Sequence, residues 1–297
     1  MCYRICRETK CIAMRRILLP TDFSENAMNA IRYAVQLFKN SSCEFYLLHT
    51  YTPAAYNVGT MADSYSALEL QRVTKENAER EMDEVEKTIR SEFKNSNHHF
   101  IKLVTFNLLI HEIQDLVDKK GIDLIVMGTQ GATGAQEIFL GTHTMYTIKK
   151  VNCPVIAVPS GFGYEPPKEI LFPTDYKVST SNPYLSLIRE ICDLQMARLN
   201  ILNAYYGEPL ENEQKQVKAY LDAYFKDNAH LFHIAENTDV VGAVEKFQTK
   251  HKINLLVMIH NRHNFFENLI FKPVINEIVY HTKIPFLVIP SEERMMH

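Results

Sequence analysis

The strongest constraint on the fold of this chain is an internal repeat. Ile17-Leu18-Leu19-Pro20-Thr21-Asp22 returns as Ile170-Leu171-Phe172-Pro173-Thr174-Asp175. Asp123-Leu124-Ile125-Val126-Met127 returns as Asn254-Leu255-Leu256-Val257-Met258, and Cys153-Pro154-Val155-Ile156-Ala157-Val158-Pro159 as Ile284-Pro285-Phe286-Leu287-Val288-Ile289-Pro290. The last two anchors are equally spaced in both copies, so the register needs no gap. A repeat of this length is a duplicated domain rather than a short solenoid unit. The chain of 297 residues has room for two cores.

Within the first copy, apolar runs alternate with helical stripes. Ile17–Leu19, Glu44–Tyr51, Phe100–Phe106, Leu124–Met127 and Val155–Val158 read as strands. Between them, Ser24 is placed to cap a helix striped by Ala27, Ile31, Ala34, Val35 and Phe38. After a loop of about a dozen residues, a long helix carries Ala78, Met82, Val85, Ile89 and Phe93. A third helix, with Ile110, Ile113, Leu116 and Val117, stops at Gly121. This alternation predicts an α/β chain of two doubly wound, five-stranded parallel-sheet domains in tandem. The expected bounds are a flexible leader over 1–13, ahead of a second methionine at Met14, a domain over 14–160 and a Gly/Pro-rich linker over 161–167. A second domain over 168–291 and a tail over 292–297 follow. The second copy is shorter because its central helix, about Glu211 to Lys226, is abbreviated.

The stretch that carries most chemistry is Asp123 to Ser160. After its first strand the chain turns through Gly128, Gly131 and Gly134, reaches Gly141, and enters a helix at Thr142-His143-Thr144. Glycines let backbone N–H groups lie open, and the free N–H groups and dipole of a helix start favour an anion. The hydroxyls of Thr142 and Thr144 can donate to phosphate oxygens. Glycine used merely for turning and threonine merely for capping is the plainer reading. Four glycines at this spacing, between a strand and Thr-x-Thr, favour a phosphate cradle.

The pattern G-x2-G-x9-G-[ST] after an apolar strand, with PTDFS after the first strand and CPV before the last, resembles the universal stress protein (UspA-like) family. The resemblance covers both copies, essentially Met14 to Ser291, and implies a tandem member on a Rossmann-like, adenine nucleotide alpha hydrolase-like fold. It implies ATP or another adenine nucleotide, with Mg²⁺ accompanying it, laid across the carboxyl ends of strands one and four. On that reading Pro20, Thr21 and Asp22 flank the nucleoside, Thr50 lies by the adenine, and Met127 and Gly128 form the floor. Gly131, Gly141, Thr142, His143 and Thr144 would hold the phosphates. Asp22, just before a helix, is equally suited to capping it. No Lys or Arg stands between Ala132 and Leu140, and Glu137 adds negative charge. That departure from the family pattern predicts weak affinity or a preference for fewer phosphates.

In the second copy Ile259, Arg262, Lys272 and Pro273 replace Gly128, Gly131, Gly141 and Thr142, and Ile275 replaces Thr144. Side chains fill the phosphate space and a proline removes a helix N–H, so this half is expected not to bind ATP. His260, Arg262, His263 and Lys272 read as a solvated polar loop in preference to a second anion site. The degenerate half is expected to stand in for the dimer partner of single-domain relatives. The edges Val155–Val158 and Phe286–Ile289 would pair inside one chain, and a further homodimer is left open.

A formal charge of −3 argues against nucleic acid as a partner, and no apolar run is long enough to cross a bilayer. Six cysteines without a C-x-x-C pair, and scattered histidines, give neither a metal cluster nor a disulfide framework, so a cytoplasmic setting is expected. With no nucleophile elbow and no general base in evidence, at most slow ATP hydrolysis is expected. An adenylate-forming enzyme on the related fold would carry S-G-G-x-D-S or a HIGH-like signature where this chain has Pro20-Thr21-Asp22-Phe23-Ser24. A nucleotide-independent interaction protein with a relic loop is the remaining alternative.

Overall fold

A computed structural model of the chain describes residues 14–52, 61–129, 141–205, 209–236, 238–260 and 283–291. The N-terminal copy runs β1 (Arg15–Pro20), α1 (Glu25–Leu37), β2 (Cys43–Tyr51), α2 (Met61–Glu92), β3 (His98–Phe106), α3 (Leu109–Lys120), β4 (Leu124–Gly128), α4 (Thr142–Lys150) and β5 (Val155–Val158). The C-terminal copy follows with β6 (Glu169–Pro173), α5 (Leu185–Gln195), β7 (Arg198–Tyr205), α6 (Asn212–Tyr224), β8 (His230–Glu236), α7 (Val240–Lys250), β9 (Leu255–His260) and β10 (Phe286–Pro290). The leader 1–13, the tail 292–297 and the loop positions Gly131, Arg262, His263, Lys272, Pro273 and Ile275 lie outside the described residues.

The α/β alternation and parallel order within each copy agree with the sequence. The strands form one ten-stranded sheet, ordered β3-β2-β1-β4-β5-β10-β9-β6-β7-β8, with the two expected edges paired at its centre. Every neighbouring pair is parallel except the central one, where Phe286, Leu287 and Val288 run antiparallel to Ala157, Ile156 and Val155. Apolar residues line both faces of β4, β5, β9 and β10, as a doubly covered sheet requires. On one face α1, α2, α5 and α6 pack over Ile17, Leu19, Phe45, Ile156, Phe172 and Leu287. On the other, α3, α4 and α7 pack over Leu18, Leu48, Met127, Ala157, Leu256 and Val288. Both cores therefore run through the junction without a break.

Local signals act as the sequence predicts. The Ser24 hydroxyl accepts the N–H of Ala27 at 3.3 Å, and Gly121 ends α3 in the left-handed region at φ 62°. Helix α2 begins at Met61, so the connection after β2 is shorter than the expected dozen residues. The linker is docked rather than loose. Tyr164 donates to the Gln36 carbonyl at 3.2 Å, Phe162 and Tyr164 set their rings edge-on to Tyr33, and Glu165 pairs with Lys252. Arg15 meets Glu190 across the copies, and the Gln195 side chain donates to the Leu37 carbonyl at 2.6 Å.

Since both cores cross the β5–β10 seam, the two copies should unfold together. Scanning calorimetry should give one transition, and Leu287→Ala should lower stability by about 2–5 kcal/mol while keeping it single. Two separate transitions in the wild type would show that the copies are independent.

Candidate functional site

In the N-terminal copy β1 lies between β2 and β4, so the strand order reverses at β1 and β4. The chain leaves β1 for α1 on one face, and α4, which follows β4, packs on the other. Diverging connections open a crevice at the carboxyl ends of these strands. Pro20 and Thr21 stand at the end of β1, Met127 and Gly128 at the end of β4, and Gly141, Thr142 and Thr144 at the start of α4.

The loop after β1 is tightly tied. Thr21 is buried, its N–H donates to Leu48 O at 2.8 Å and its hydroxyl oxygen accepts from the Phe23 N–H at 3.0 Å. These bonds hold Phe23 at φ 65°, a left-handed conformation that costs a non-glycine residue about 1–2 kcal/mol. The Phe23 ring is stacked on His49 with centroids 4.3 Å apart, and His49 Nδ1 sits 2.9 Å from the Thr21 carbonyl. A carbonyl only accepts, so Nδ1 carries the proton in that bond. Asp22 is exposed, and its carboxylate accepts from the N–H and hydroxyl of Ser24 at 3.1 and 2.5 Å. The cap of α1 is Ser24 rather than Asp22, whose carboxylate instead braces the turn that leads to that cap.

Gly128 has a steric reason for its identity. A Cβ there would stand 3.0 Å from the Asn26 carbonyl oxygen and 3.3 Å from its carbon. The first turn of α1 thus closes directly over the end of β4. Thr129 next donates to Val158 O at 3.0 Å, and its own carbonyl accepts the N–H of Gly141. That second bond, which sequence patterns alone do not reveal, sets the start of α4 against the end of β4.

Gly141 is the N-cap of α4, with no side chain bonded to the cap, and the first helical bond is Met145 N–H to Gly141 O at 2.9 Å. Among the described residues no acceptor takes the N–H groups of Thr142, His143 or Thr144. Thr142 and His143 are exposed at this end, whereas Lys149 and Lys150 occupy the last turn, the end that favours cations. One expectation needs correcting. Thr144 is buried, and its hydroxyl donates to the Gly128 carbonyl at 2.7 Å. Its only proton is committed, so Thr144 can offer a phosphate only its backbone N–H. Thr50 stands half-buried on β2, two residues beyond the point where β1 ends, on the same sheet face as Met127. Gly131 lies outside the described residues, as does the body of the loop. No group of three or more metal-ligating side chains occurs among the described residues.

A model of the universal stress protein family matches residues 14–159. Over 144 residues the chain is 30% identical to universal stress protein MJ0531 of Methanocaldococcus jannaschii, covering 48% of this chain and 81% of that protein. The chain belongs to the universal stress protein family. It is also 29% identical over 156 residues to universal stress protein MJ0577 of the same organism, covering 50% of this chain and 96% of that one. A universal stress protein from Archaeoglobus fulgidus DSM 4304 is superimposable over nearly the whole length. It covers 93% of this chain and 96% of its own, with a TM-score of 0.63 at 16% identity, a likeness of fold.

The C-terminal copy of this universal stress protein keeps the β1 loop and differs at the end of the strand equivalent to β4. Tyr176 repeats the left-handed turn at φ 58°, Thr174 its hydroxyl bond at 3.0 Å, and Asn203 replaces His49 as donor to the Thr174 carbonyl at 2.9 Å. The Gln214 side chain additionally donates to Asp175 O at 2.8 Å. At the position of Gly128 stands Ile259, buried. Helix α5 begins only at Leu185, where the counterpart of α1 would already be in its third turn.

The sign of a methyl group at Gly128 follows from this contact. Gly→Ala at an unstrained site stabilises by about 0.4–1 kcal/mol. Against the Asn26 carbonyl, Gly128→Ala should instead cost about 1–3 kcal/mol, read from urea unfolding. A stabilised Gly128→Ala protein would mean that α1 does not close over β4.

Proposed function

We propose that this chain is a stress-response module that binds one adenine nucleotide, ATP in the first instance, in its N-terminal copy. The observation that carries the reading is the open start of α4. Three backbone N–H groups without acceptors among the described residues face the end of β4, and the Thr129–Gly141 and Thr144–Gly128 bonds fix them there. Such an N-terminus at a sheet's switch point suits a phosphate. Pro20, Thr21 and Asp22 would flank the nucleoside, Thr50 and Met127 the base, and Gly128, Gly131, Gly141, Thr142, His143 and Thr144 the phosphates. The domain bounds of the reading are 14–160 and 168–291.

The C-terminal copy is proposed as a non-binding partner. Ile259 and the late start of α5 remove the equivalent cradle, and the β5–β10 pairing supports the idea that this copy stands in for a dimer mate. The cytoplasm is the proposed compartment, in keeping with buried free thiols at Cys43, Cys153 and Cys192. Turnover is proposed to be absent or slow, since none of the residues assigned to the phosphates carries a carboxylate.

One observation favours the competing reading, a nucleotide-independent interaction protein. The Thr144 hydroxyl is spent within the protein, and no Lys or Arg is assigned to the phosphates. Thermal-shift measurement with millimolar ATP–Mg²⁺ separates the two. The wild type should be stabilised and Gly141→Trp should not, with the unliganded melting temperatures of the two differing little. Absence of any ATP-dependent shift in the wild type would favour the relic loop.

A further inference from the structure

The sheet ends in two edge strands, β3 and β8, and they are not equally protected. Thr21 N–H bonds to Leu48 O and Thr174 N–H to Leu202 O, each at 2.8 Å, which aligns β2 with β7. Leu48 pairs with Leu103 and Leu202 with His233, so Lys102 matches Phe232 and Val104 matches Ile234. Lys102 is exposed midway along β3, tied to Asp83 and Glu86 of α2, and a lysine there blunts an open edge. Strand β8 has no Lys, Arg, Asp or Glu from Leu231 to Ala235. Its counterpart helix α6 has 13 residues against 32 in α2. Ile234 is 60% exposed where Val104 is half-buried, and Leu231, on the opposite sheet face, is also exposed. Among the described residues no strand pairs with the outer side of β8.

The backbone of β8 restricts how another strand can join it. Leu199 N–H bonds to Ala229 O at 2.8 Å. In this parallel ladder Leu231, His233 and Ala235 therefore turn their backbone groups toward β7, while His230, Phe232, Ile234 and Glu236 turn theirs to the open edge. An antiparallel strand of the same sequence can bond only through its own outward row. Full overlap of the seven residues then puts a two-fold axis at His233. In that register Phe232 meets Ile234, His230 meets Glu236 and Leu231 meets Ala235, each twice. Aromatic against β-branched and imidazole against carboxylate are favourable cross-strand pairs, and no two carboxylates face each other. His233 meets its own copy, and burial, with His251 nearby, holds its pKa below the usual histidine value, so this central pair is neutral at pH 7.

We propose that β8 is the docking edge for a second copy of this chain, joined antiparallel about that axis so that two ten-stranded sheets continue as one. The interface is self-complementary, as a two-fold dimer requires. Within one chain the same solution already closes β5 against β10. The inference does not depend on whether a nucleotide is bound.

The test is the mass of the full chain by sedimentation velocity across a range of concentrations. The wild type should pass from one chain to two as concentration rises. Ile234→Lys, which places a charge on the exposed edge, should stay at the mass of one chain throughout, with its far-ultraviolet circular dichroism unchanged. The register is read separately by disulfide trapping. Leu231 and Ala235 would form a non-hydrogen-bonded pair with Cα atoms about 4.5 Å apart, within disulfide reach. Mild oxidation should therefore join two chains of the Leu231→Cys, Ala235→Cys double variant, and neither single variant beyond the wild-type background. A wild type of one chain at every concentration would overturn the inference. So would a dimer that survives Ile234→Lys, or trapping by Leu231→Cys alone.

Discussion

Everything in this molecule is arranged around one antiparallel seam. Strands β5 and β10 would each be an open sheet edge in an isolated copy, with apolar side chains on both faces and unpaired backbone groups. Pairing Phe286–Val288 with Val155–Ala157 removes both edges at once and makes one sheet of ten strands. The remaining edges are β3 and β8, at the far ends. Because the seam lies beside β4, it also steadies the strand from which the crevice rises. Asn29 on α1 reaches the Pro159 carbonyl just past β5, and Asn182 makes the same contact to Pro290 just past β10. The two copies are thus anchored to the seam by the same device.

From that shared frame the copies diverge at the approach of helix to strand end. In the N-terminal copy Asn26 sits over Gly128, and a side chain there would be excluded. In the C-terminal copy the helix starts later and Ile259 occupies the position. A single glycine is therefore linked to how far α1 is wound, to where Thr144 can reach the Gly128 carbonyl, and so to whether the start of α4 stays open. The β1 loop shows no such divergence, since Thr21 and Thr174 tie their turns with matching bonds. That loop is common to both copies, and Asp22 and Asp175 each accept a backbone N–H within it.

Features set by local chemistry were legible in the sequence. The Ser24 cap, the stop at Gly121, the start of α4 at Thr142 and the apolar cores of β4 and β9 need only neighbouring residues to be read. Contacts between elements distant in sequence were not. The Thr144 hydroxyl reads as a phosphate donor until β4 and α4 are brought together, when it turns out to serve Gly128. Gly128 reads as a turning residue, whereas its demand comes from Asn26, a hundred residues earlier in the chain. Phe23 carries no sequence signal for its left-handed backbone or its stack on His49. The Gly/Pro-rich composition of 161–167 marks a linker, but does not reveal that Phe162 and Tyr164 within it pack on Tyr33.

The central claim is that duplication has left one nucleotide site in two copies of the same fold. The number of nucleotides bound per chain measures this directly, by equilibrium dialysis of labelled ATP against the full-length protein at saturating ligand. The account predicts one per chain, abolished by Gly141→Trp and unaffected by replacing Ile259 with valine. Two per chain, or one that survives Gly141→Trp, would contradict it.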